Sequence, residues 1–403
     1  HKFQQLIKFS TKRFNLKKGS YMKQATWWWL SGGISTCLII VLISMWVTMN
    51  QYDIEPTQLV NEEAVNDHLK SNWENRLSTA KFQVDPTIRV KTGIFVQSLQ
   101  FFNSTDVHLT GYIWQRYKDG EHDDIKPSAS EVGFILPEQV NAGDDIEPRE
   151  VYRLRDGDEE VIGWYFEATL RQPFDYVDYP FDHKTVWVRM WHKEFGRNIV
   201  LVPDFDAYKS TGLDDIFGIE TSIVLGTWVR QNTFFDYKLS SYDTNFGLAD
   251  HIIHENFSEL HYNIVLKRKF ENAFIIYLLP LFLVAALLFS ALLTISKNEQ
   301  LSDRLGFNVS GFIGACSALF FVVMLAHIQL REQFPGSATV YIEYFYILMY
   351  ALFVIATANT YLFSINSSGR WLKIIHYKDN IIAKVAYWPV VLSCLILITW
   401  VFL

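Results

Sequence analysis

Small and polar side chains recur at helical spacing inside one long apolar stretch, residues 301–335 (LSDRLGFNVSGFIGACSALFFVVMLAHIQLREQFP). The stretch is longer than the roughly 20 apolar residues that cross a bilayer. Five positions fall on a single helical face, namely Gly306, Ser310, Ile313, Ser317 and Phe320. A face with hydroxyls and few bulky groups would suit a pore that conducts water and ions. Close packing against neighbouring membrane helices would use the same small residues, so both interpretations stay open.

The composition indicates a membrane protein with a separate soluble region. The chain has 403 residues, of which 50% are hydrophobic and 16% aromatic, and its formal net charge is −7. The cysteines Cys37, Cys316 and Cys394 all lie in apolar spans, so the acidic middle region must fold without disulfides. No basic tract with interleaved aromatic residues favours nucleic acid. We expect no enzymatic activity, cofactor or resident metal, because the sequence lacks HExxH, GxSxG and a glycine-rich phosphate loop.

The amino-terminal part combines a basic segment with a membrane helix. Residues 1–26 carry seven Lys or Arg side chains and no acid, which predicts a cytoplasmic or interfacial segment. Residues 27–49 form an apolar span with interfacial tryptophans at both ends. Its apolar core is longer than that of a signal peptide, and no small-x-small cleavage site follows. We therefore expect a retained transmembrane anchor.

The middle of the chain predicts a linker at 50–85 and a strand-rich domain at 86–270. The linker has spacing compatible with a short helix. In the domain, runs of β-branched and aromatic residues alternate with turn signals, which is typical of a β-sandwich. The predicted strands are 87–99, 107–117, 161–170, 185–191, 219–230 and 260–268.

Two groups of polar residues in this domain raise the question of metal binding. The acidic run 143–160 predicts a loop and a hairpin, and a solvated acidic surface is favoured because no fixed ligand spacing is present. Modulation by divalent cations stays open. His251 and His254 have HxxH spacing, but a third ligand is lacking, so a solvated loop is favoured there as well.

The carboxyl-terminal part, 271–403, predicts a four-helix membrane domain. Besides 301–335 it contains the apolar spans 274–295, 341–363 and 386–403. The connection 364–385 is basic and therefore predicted to be cytoplasmic. Five crossings from a cytoplasmic amino end place the β-domain on the outer side of the membrane.

Two sequence segments resemble the pentameric ligand-gated ion channels. QPFDYVDYPFDHKTV, at 172–186, is similar to the signature loop of that family, and NIVLKRKFENAFIIYLLPLFL, at 263–283, resembles its junction between the last strand and the first channel helix. The cysteines that bracket the loop in animal members are replaced by Gln172 and Val186, as in the bacterial version. The likeness covers 86–403 in order but not the helix at 27–49.

The resemblance implies a fold, an assembly and a location. The fold is an immunoglobulin-like β-sandwich followed by four α-helices of a transmembrane bundle, here preceded by one extra helix. The assembly is a homopentamer in a lipid bilayer that passes inorganic ions when a small-molecule agonist binds between adjacent sandwiches. The location is the bacterial inner membrane, with the β-domain in the periplasm and the amino end in the cytoplasm. A non-conducting receptor that relays ligand binding across the membrane is the alternative.

For the pore, the resemblance implies five copies of 301–335 around one axis. Asp303 then forms a ring of carboxylates that favours cations. Counting from Asp303 places Gly306, Ser310, Ile313, Ser317 and Phe320 in the pore. Counting back from Pro335 instead favours Gly314, Ala318, Phe321, Leu325 and Ile328. We prefer the first count, which turns hydroxyls toward water, with Ile313, Phe320 or Phe321 as the hydrophobic gate.

For coupling and ligand binding, the resemblance assigns two sets of residues. The coupling set couples the rigid YPFD turn to the membrane domain, with an ion pair between its acid and a basic residue, and it comprises Tyr179, Pro180, Phe181, Asp182, Arg268 and Pro335. The ligand set is an aromatic box that favours a cationic amine, with the alternative that most of these aromatic residues are core. It comprises Trp191, Phe195, Tyr237, Tyr242 and Phe246, with Trp114, Arg116 and Tyr165 from the adjacent subunit.

Overall fold

The computed structural model describes residues 2–79, 88–125, 132–140, 147–194, 198–244, 246–247, 257–297, 308–365 and 374–403, apart from the side chains of 2–24, 73–79 and 124. The chain divides into two compact units. The helical unit comprises His1–Gln51, Tyr176–Phe181 and Phe270–Leu403, and the β unit comprises Tyr52–Asp175 and Asp182–Lys269. The chain therefore passes between the units at four points.

The described part of the β unit contains one helix and nine strands. The helix is α2 (Glu62–Thr79). The strands are β1 (Ile88–Phe101), β2 (Asp106–Lys118), β3 (Phe134–Ile135), β4 (Arg149–Asp156), β5 (Glu159–Arg171), β6 (His183–His192), β7 (Ile199–Pro203), β8 (Trp228–Ser240) and β9 (Phe257–Arg268).

These strands form two sheets, in the orders β4-β5-β2-β1-β7 and β3-β6-β9-β8. Inward side chains of both sheets join one hydrophobic cluster. Strand β6 shows how the sequence achieves this, because Val186, Val188 and Met190 are buried in the cluster while Arg189 and Trp191 alternate with them. Successive side chains of a strand point to opposite faces. The odd-numbered residues of β6 therefore lie on the outer face of the second sheet.

The predicted strand at 219–230 is wrong, whereas the structure confirms the other five within a few residues. Strand β8 begins only at Trp228, and the preceding residues form turns. Gly218 and Gly226 have φ angles of +63° and +60°, a conformation that interrupts a strand. The apolar side chains of Ile223 and Leu225, which suggested a strand, instead pack against the core from a turn.

The hairpin predicted within the acidic run is confirmed. Strands β4 and β5 pair antiparallel from Arg149 to Asp156, and the turn between them contains Gly157 with φ +66°. A backbone at positive φ is one that glycine adopts at no steric cost. The acidic side chains of the run thus lie along an exposed two-stranded ribbon at the edge of the first sheet.

Among the described residues, five helices are long and apolar enough to cross a membrane. They are Ala25–Met49 within α1 (Lys2–Met49), α3 (Phe270–Leu293), α4 (Val309–Glu332), α5 (Glu343–Ser364) and α6 (Ile381–Val401). The predicted apolar spans coincide with them. These helices support a membrane-embedded protein.

Two local features set the ends and shape of the helices. Asn308 caps α4, because its side-chain oxygen accepts a hydrogen bond from the Gly311 amide at 2.5 Å. Helix α3 contains a π-helical turn, Phe274–Leu278, directly before the segment with Pro280. A proline lacks the N–H that an α-helix requires, and a wider turn accommodates the interruption.

Candidate functional site

The segment Tyr176–Phe181 interrupts the sequence of the β unit but belongs to the helical unit. The buried ring of Tyr179 lies 4.8 Å from the ring of Phe334, which follows α4, and 6.1 Å from Tyr277 of α3. Pro180 is also buried and is joined to Tyr179 by a cis peptide bond. The YPF turn therefore contacts two membrane helices.

Phe181 extends these contacts to the beginnings of α3 and α5. Its ring stacks on Phe270 with a centroid distance of 5.0 Å and an angle of 14°, and it lies 6.0 Å from the ring of Tyr341. The backbone amide of Tyr341 donates a hydrogen bond to the Val177 carbonyl at 2.7 Å. Within the helical unit, the segment is thus held by both aromatic packing and a backbone hydrogen bond.

The contact that the sequence assigned to Pro335 is made by its neighbour. Pro335 is exposed, whereas Phe334 is buried against Tyr179. Next to it, the Gln333 side-chain amide donates a hydrogen bond to the Tyr277 hydroxyl. The carboxyl end of α4 is therefore tied both to the YPF turn and to α3.

Asp182 and Arg268 form the ion pair that the sequence predicted. Arg268 Nε donates to Asp182 Oδ1 at 2.5 Å and a terminal guanidinium nitrogen donates to Oδ2 at 2.8 Å, with the carboxylate side chain only 3% exposed. The guanidinium carbon lies 4.1 Å from the centre of the Trp228 ring. A two-point, partly stacked pair of this kind suits arginine and not lysine.

A side-chain amide closes the signature loop where animal members have a disulfide. Gln172 is 1% exposed. Its Nε2 donates to the Trp187 carbonyl, and its Oε1 accepts from the Trp187 amide at 3.3 Å. The second bracketing position, Val186, is buried in the core. The loop is thus bridged by hydrogen bonds from one buried side chain to the backbone of β6.

Helix α4 has one face that packs against the rest of the helical unit. Four residues of this face are buried at helical spacing, namely Phe312, Cys316, Val323 and Leu330. Phe320 lies beside them, with its ring 5.4 Å from Tyr350 and 6.4 Å from Phe353 of α5. Within this subunit Phe320 therefore packs between helices.

The opposite face of α4 is unpacked in the subunit. At 3.6 residues per turn, the residues opposite the buried set are Ser310, Gly314, Ser317, Phe321, Leu325 and Ile328, and all are exposed. Ile313 lies at the border of this face. The geometry thus combines the two hydroxyls of the first count with the large apolar residues of the second. Asp303 and Gly306 lie outside the described residues.

On the outer face of the second sheet, Glu259 organises the aromatic residues predicted to bind ligand. Its carboxylate is 1% exposed and accepts four hydrogen bonds. The donors are Trp191 Nε1 at 2.8 Å, the Tyr242 hydroxyl at 2.6 Å, the Ser240 hydroxyl at 2.5 Å and an Arg189 guanidinium nitrogen at 3.0 Å. Burial, followed by the nearby Glu259 carboxylate, raises the pKa of Tyr242 to about 12.

The cation beside these aromatic rings is supplied by the protein itself. The Arg189 guanidinium carbon lies 5.3 Å from the centre of the Trp191 ring, and the same side chain pairs with Glu138 at 2.5 Å and with Glu259. Phe246 completes the group, with its ring 6.3 Å from Trp191 and 5.6 Å from Tyr242. Two carboxylates and one guanidinium leave this face with an excess negative charge.

The structure does not join all predicted ligand residues to this group. Tyr237 is buried in the core, where its hydroxyl donates to the Leu201 carbonyl at 2.8 Å and its ring stacks on His68. It lies on the inward side of β8. Phe195, His251 and His254 lie outside the described residues. Within the described ranges, no three His, Cys, Asp or Glu side chains are grouped as a metal site.

The residues predicted for the adjacent-subunit side share the outer face of the first sheet. Trp114 Nε1 and Arg116 Nε both donate to Asp204 Oδ2, at 2.8 and 2.7 Å, and this carboxylate is fully buried. Gly93 lies opposite Trp114, and a side chain there would overlap the indole ring. Tyr165 packs edge-on against Tyr112 at 5.5 Å. The two predicted halves of the ligand site thus lie on different sheets of one subunit.

Several residues of these sites were not singled out by sequence reasoning. They are Trp46, Glu138, Glu259, Phe270, Tyr277, Phe334 and Tyr341. A Glu in the middle of an apolar strand and aromatic residues flanking membrane helices were visible signals, but their partners are distant in sequence. No protein-family model matches the chain, and no curated protein matches its sequence.

Proposed function

We propose that this chain is one subunit of a homopentameric ligand-gated ion channel, selective for cations, in which an immunoglobulin-like β-sandwich controls a pore made by α4. The observation that carries this proposal is the segment Tyr176–Phe181, which leaves the β unit and packs among the ends of α3, α4 and α5. A signal generated in the β unit can reach the helices along the chain through this segment.

The ion pair between Asp182 and Arg268 supports the same role. Asp182 directly follows the segment, and Arg268 stands two residues before Phe270, where α3 begins. The pair therefore fastens together two of the points at which the chain passes between units. A displacement of either strand end is transmitted to the other and from both to the membrane helices.

The unpacked face of α4 is the proposed pore lining. Five copies turned toward one axis would present Ser310, Gly314 and Ser317 to water, and rings of Phe321 or Leu325 would close the path by dewetting. Selectivity for cations is assigned to Asp303, whose five copies would concentrate cations at the cytoplasmic mouth. Ions would pass when the apolar rings separate.

The agonist site is proposed between the outer faces of the two sheets of neighbouring subunits. One face offers Trp191, Tyr242 and Phe246 around the Glu259 group, and the other offers Trp114, Arg116 and Tyr165. The excess negative charge around Arg189 supports a ligand that carries positive charge. Such a ligand would bridge two subunits and alter their relative positions.

Current recordings from proteoliposomes under an ion gradient test the channel. We expect cation-selective currents whose reversal potential shifts toward zero in Asp303→Ala. In a background without Cys37, Cys316 and Cys394, Gly314→Cys and Leu325→Cys should react with a charged thiol reagent and lose current, whereas Phe320→Cys should not. Current loss at Phe320→Cys alone would contradict the proposed lining.

A non-conducting receptor with the same fold is the second candidate. The large apolar side chains Phe321, Leu325 and Ile328 on the unpacked face of α4 would also suit contact with lipid or with other helices. An intact pentamer that gives no current in any condition, but whose signature segment changes its hydrogen exchange on ligand addition, would favour this receptor over the channel.

A further inference from the structure

Helix α1 packs against the last membrane helix, although the family-like part of the chain begins after it. The Ser31 hydroxyl donates a hydrogen bond to the Val385 carbonyl of α6 at 2.6 Å. Ser31 and Leu42 are buried, whereas most other side chains of the span are exposed. The helix thus touches the helical unit along a narrow stripe.

Near the end of α1, Trp46 enters the aromatic cluster that holds the signature segment. Its ring lies 6.0 Å from Phe181, 5.9 Å from Phe270 and 6.4 Å from Phe345. These three residues belong to the YPF turn, to the first turn of α3 and to the first turn of α5. A residue that served only as an interfacial anchor would not need these neighbours.

Trp46 also makes a directed hydrogen bond inside this cluster. Its Nε1 donates to the hydroxyl of Tyr341 at 2.7 Å, and Tyr341 is completely buried. The same hydroxyl lies 2.8 Å from the Thr399 hydroxyl of α6, while the Tyr341 amide donates to the Val177 carbonyl. Tyr341 therefore connects α1, α6 and the signature segment through three hydrogen bonds.

We propose that α1 is a regulatory element built into this subunit, and that Trp46 is the positioning residue through which it acts on the signature segment. The indole fills the space beside Phe181 and Phe270 and fixes the hydroxyl of Tyr341. A shift of α1 changes the packing of the segment and, with it, the gating equilibrium. This inference rests on the proposed channel for its effect on current.

Hydrogen–deuterium exchange on the full chain in nanodiscs tests the positioning role without any agonist. In Trp46→Ala, exchange in the peptides that contain Tyr341 and residues 176–181 should accelerate about tenfold, since both packing and a hydrogen bond are lost. Trp46→Phe keeps a ring but no donor, and Tyr341→Phe keeps the indole but loses its acceptor. Each should accelerate exchange by about threefold and leave the pentamer intact.

Trp29→Ala is the matched control, because Trp29 lies on the same helix and is 82% exposed. Exchange should not change in this variant. Equal exchange in the parent and in Trp46→Ala would overturn the proposal, and so would acceleration in Trp29→Ala of the same size, which would indicate a general loosening of α1.

Single-channel recording then separates this inference from the proposed function. We expect Trp46→Ala to change the open probability about fivefold or more, with Trp46→Phe partly restoring it and unit conductance unchanged. An unchanged open probability in a conducting protein overturns the regulatory role. If no variant conducts, the channel assignment fails, and the exchange comparison alone decides whether α1 holds the segment.

Discussion

The carboxylate of Asp182 receives two hydrogen bonds from the guanidinium of Arg268, whose flat side lies on the ring of Trp228. Asp182 begins the return of the chain into the β unit, and Arg268 lies at the end of its last strand. One buried pair thus fixes the two strand ends that border the membrane helices. Its geometry uses both the charge and the planar shape of arginine.

Replacing Arg268 with lysine should lower stability although the charge is kept. An ammonium cannot make the two-point contact with Asp182 or stack on Trp228 in the same way, and we expect a loss of about 2 kcal/mol. Thermal unfolding followed by intrinsic fluorescence measures it. The exposed Arg149 provides the control, since Arg149→Lys should leave the transition unchanged. Equal effects of both substitutions would contradict a special role for the pair.

Removing the side-chain amide of Gln172 should loosen the signature loop. Gln172→Ala leaves a buried N–H and C=O of Trp187 without these partners, a change that costs about 1–3 kcal/mol. We expect lower thermal stability and faster hydrogen exchange in residues 173–186. Gln100→Ala changes the same residue type at an exposed position. If the two variants behave alike, the amide bridge contributes nothing.

Acidification should destabilise the β unit through His192. Its Nδ1 accepts a hydrogen bond from the Glu194 amide and its Nε2 lies 2.9 Å from the Tyr117 hydroxyl, so the neutral ring donates from Nε2. Burial, with the nearby His122 as a second cause, lowers the pKa of His192 to about 4. The unfolded chain binds this proton below about pH 6.5, whereas the folded chain does so only near pH 4. Stability should therefore fall as the pH decreases between these values, by up to about 3 kcal/mol.

Chemical denaturation at pH 7 and pH 4.5 measures this dependence. His192→Gln should reduce the difference between the two conditions. Part of the dependence should remain, because burial lowers the pKa of His261 to about 4 as well. His108→Gln, on the outer face of β2, serves as the control. An undiminished pH dependence in His192→Gln would show that this side chain is not its source.

Neutralising Glu259 should release the aromatic residues of the proposed ligand face. Glu259→Gln turns a saturated acceptor into a group that also donates, and Arg189 loses one of its two carboxylate partners. We expect a loss of about 2–4 kcal/mol and a changed fluorescence of Trp191. Adding Arg189→Met should recover part of this loss, because no unpaired cation is then left. A purely additive double variant would argue against coupling between the two side chains.

The sequence alone identified the elements whose signals are local. Uninterrupted apolar runs gave the membrane helices, because a span needs only length and low charge. Alternating β-branched and aromatic residues gave five of the six predicted strands. The YPFD turn, Asp182 and Arg268 were recognisable from their neighbours along the chain. The segment at 219–230 misled because apolar residues in a turn can pack on a core as well as those of a strand can.

Only the tertiary structure decided which faces and partners these elements use. The face of α4 that is free depends on where Phe320 meets α5, and several helical faces of that segment carry small or apolar residues. The burial of Glu259 follows from four donors on three different parts of the chain, which no spacing rule connects. The place of Trp46 beside Phe181 joins residues 135 positions apart, a contact that depends on how helices pack and not on the type of residue alone. Periodicity determines that a helix or strand forms, whereas long-range packing determines what each of its side chains meets.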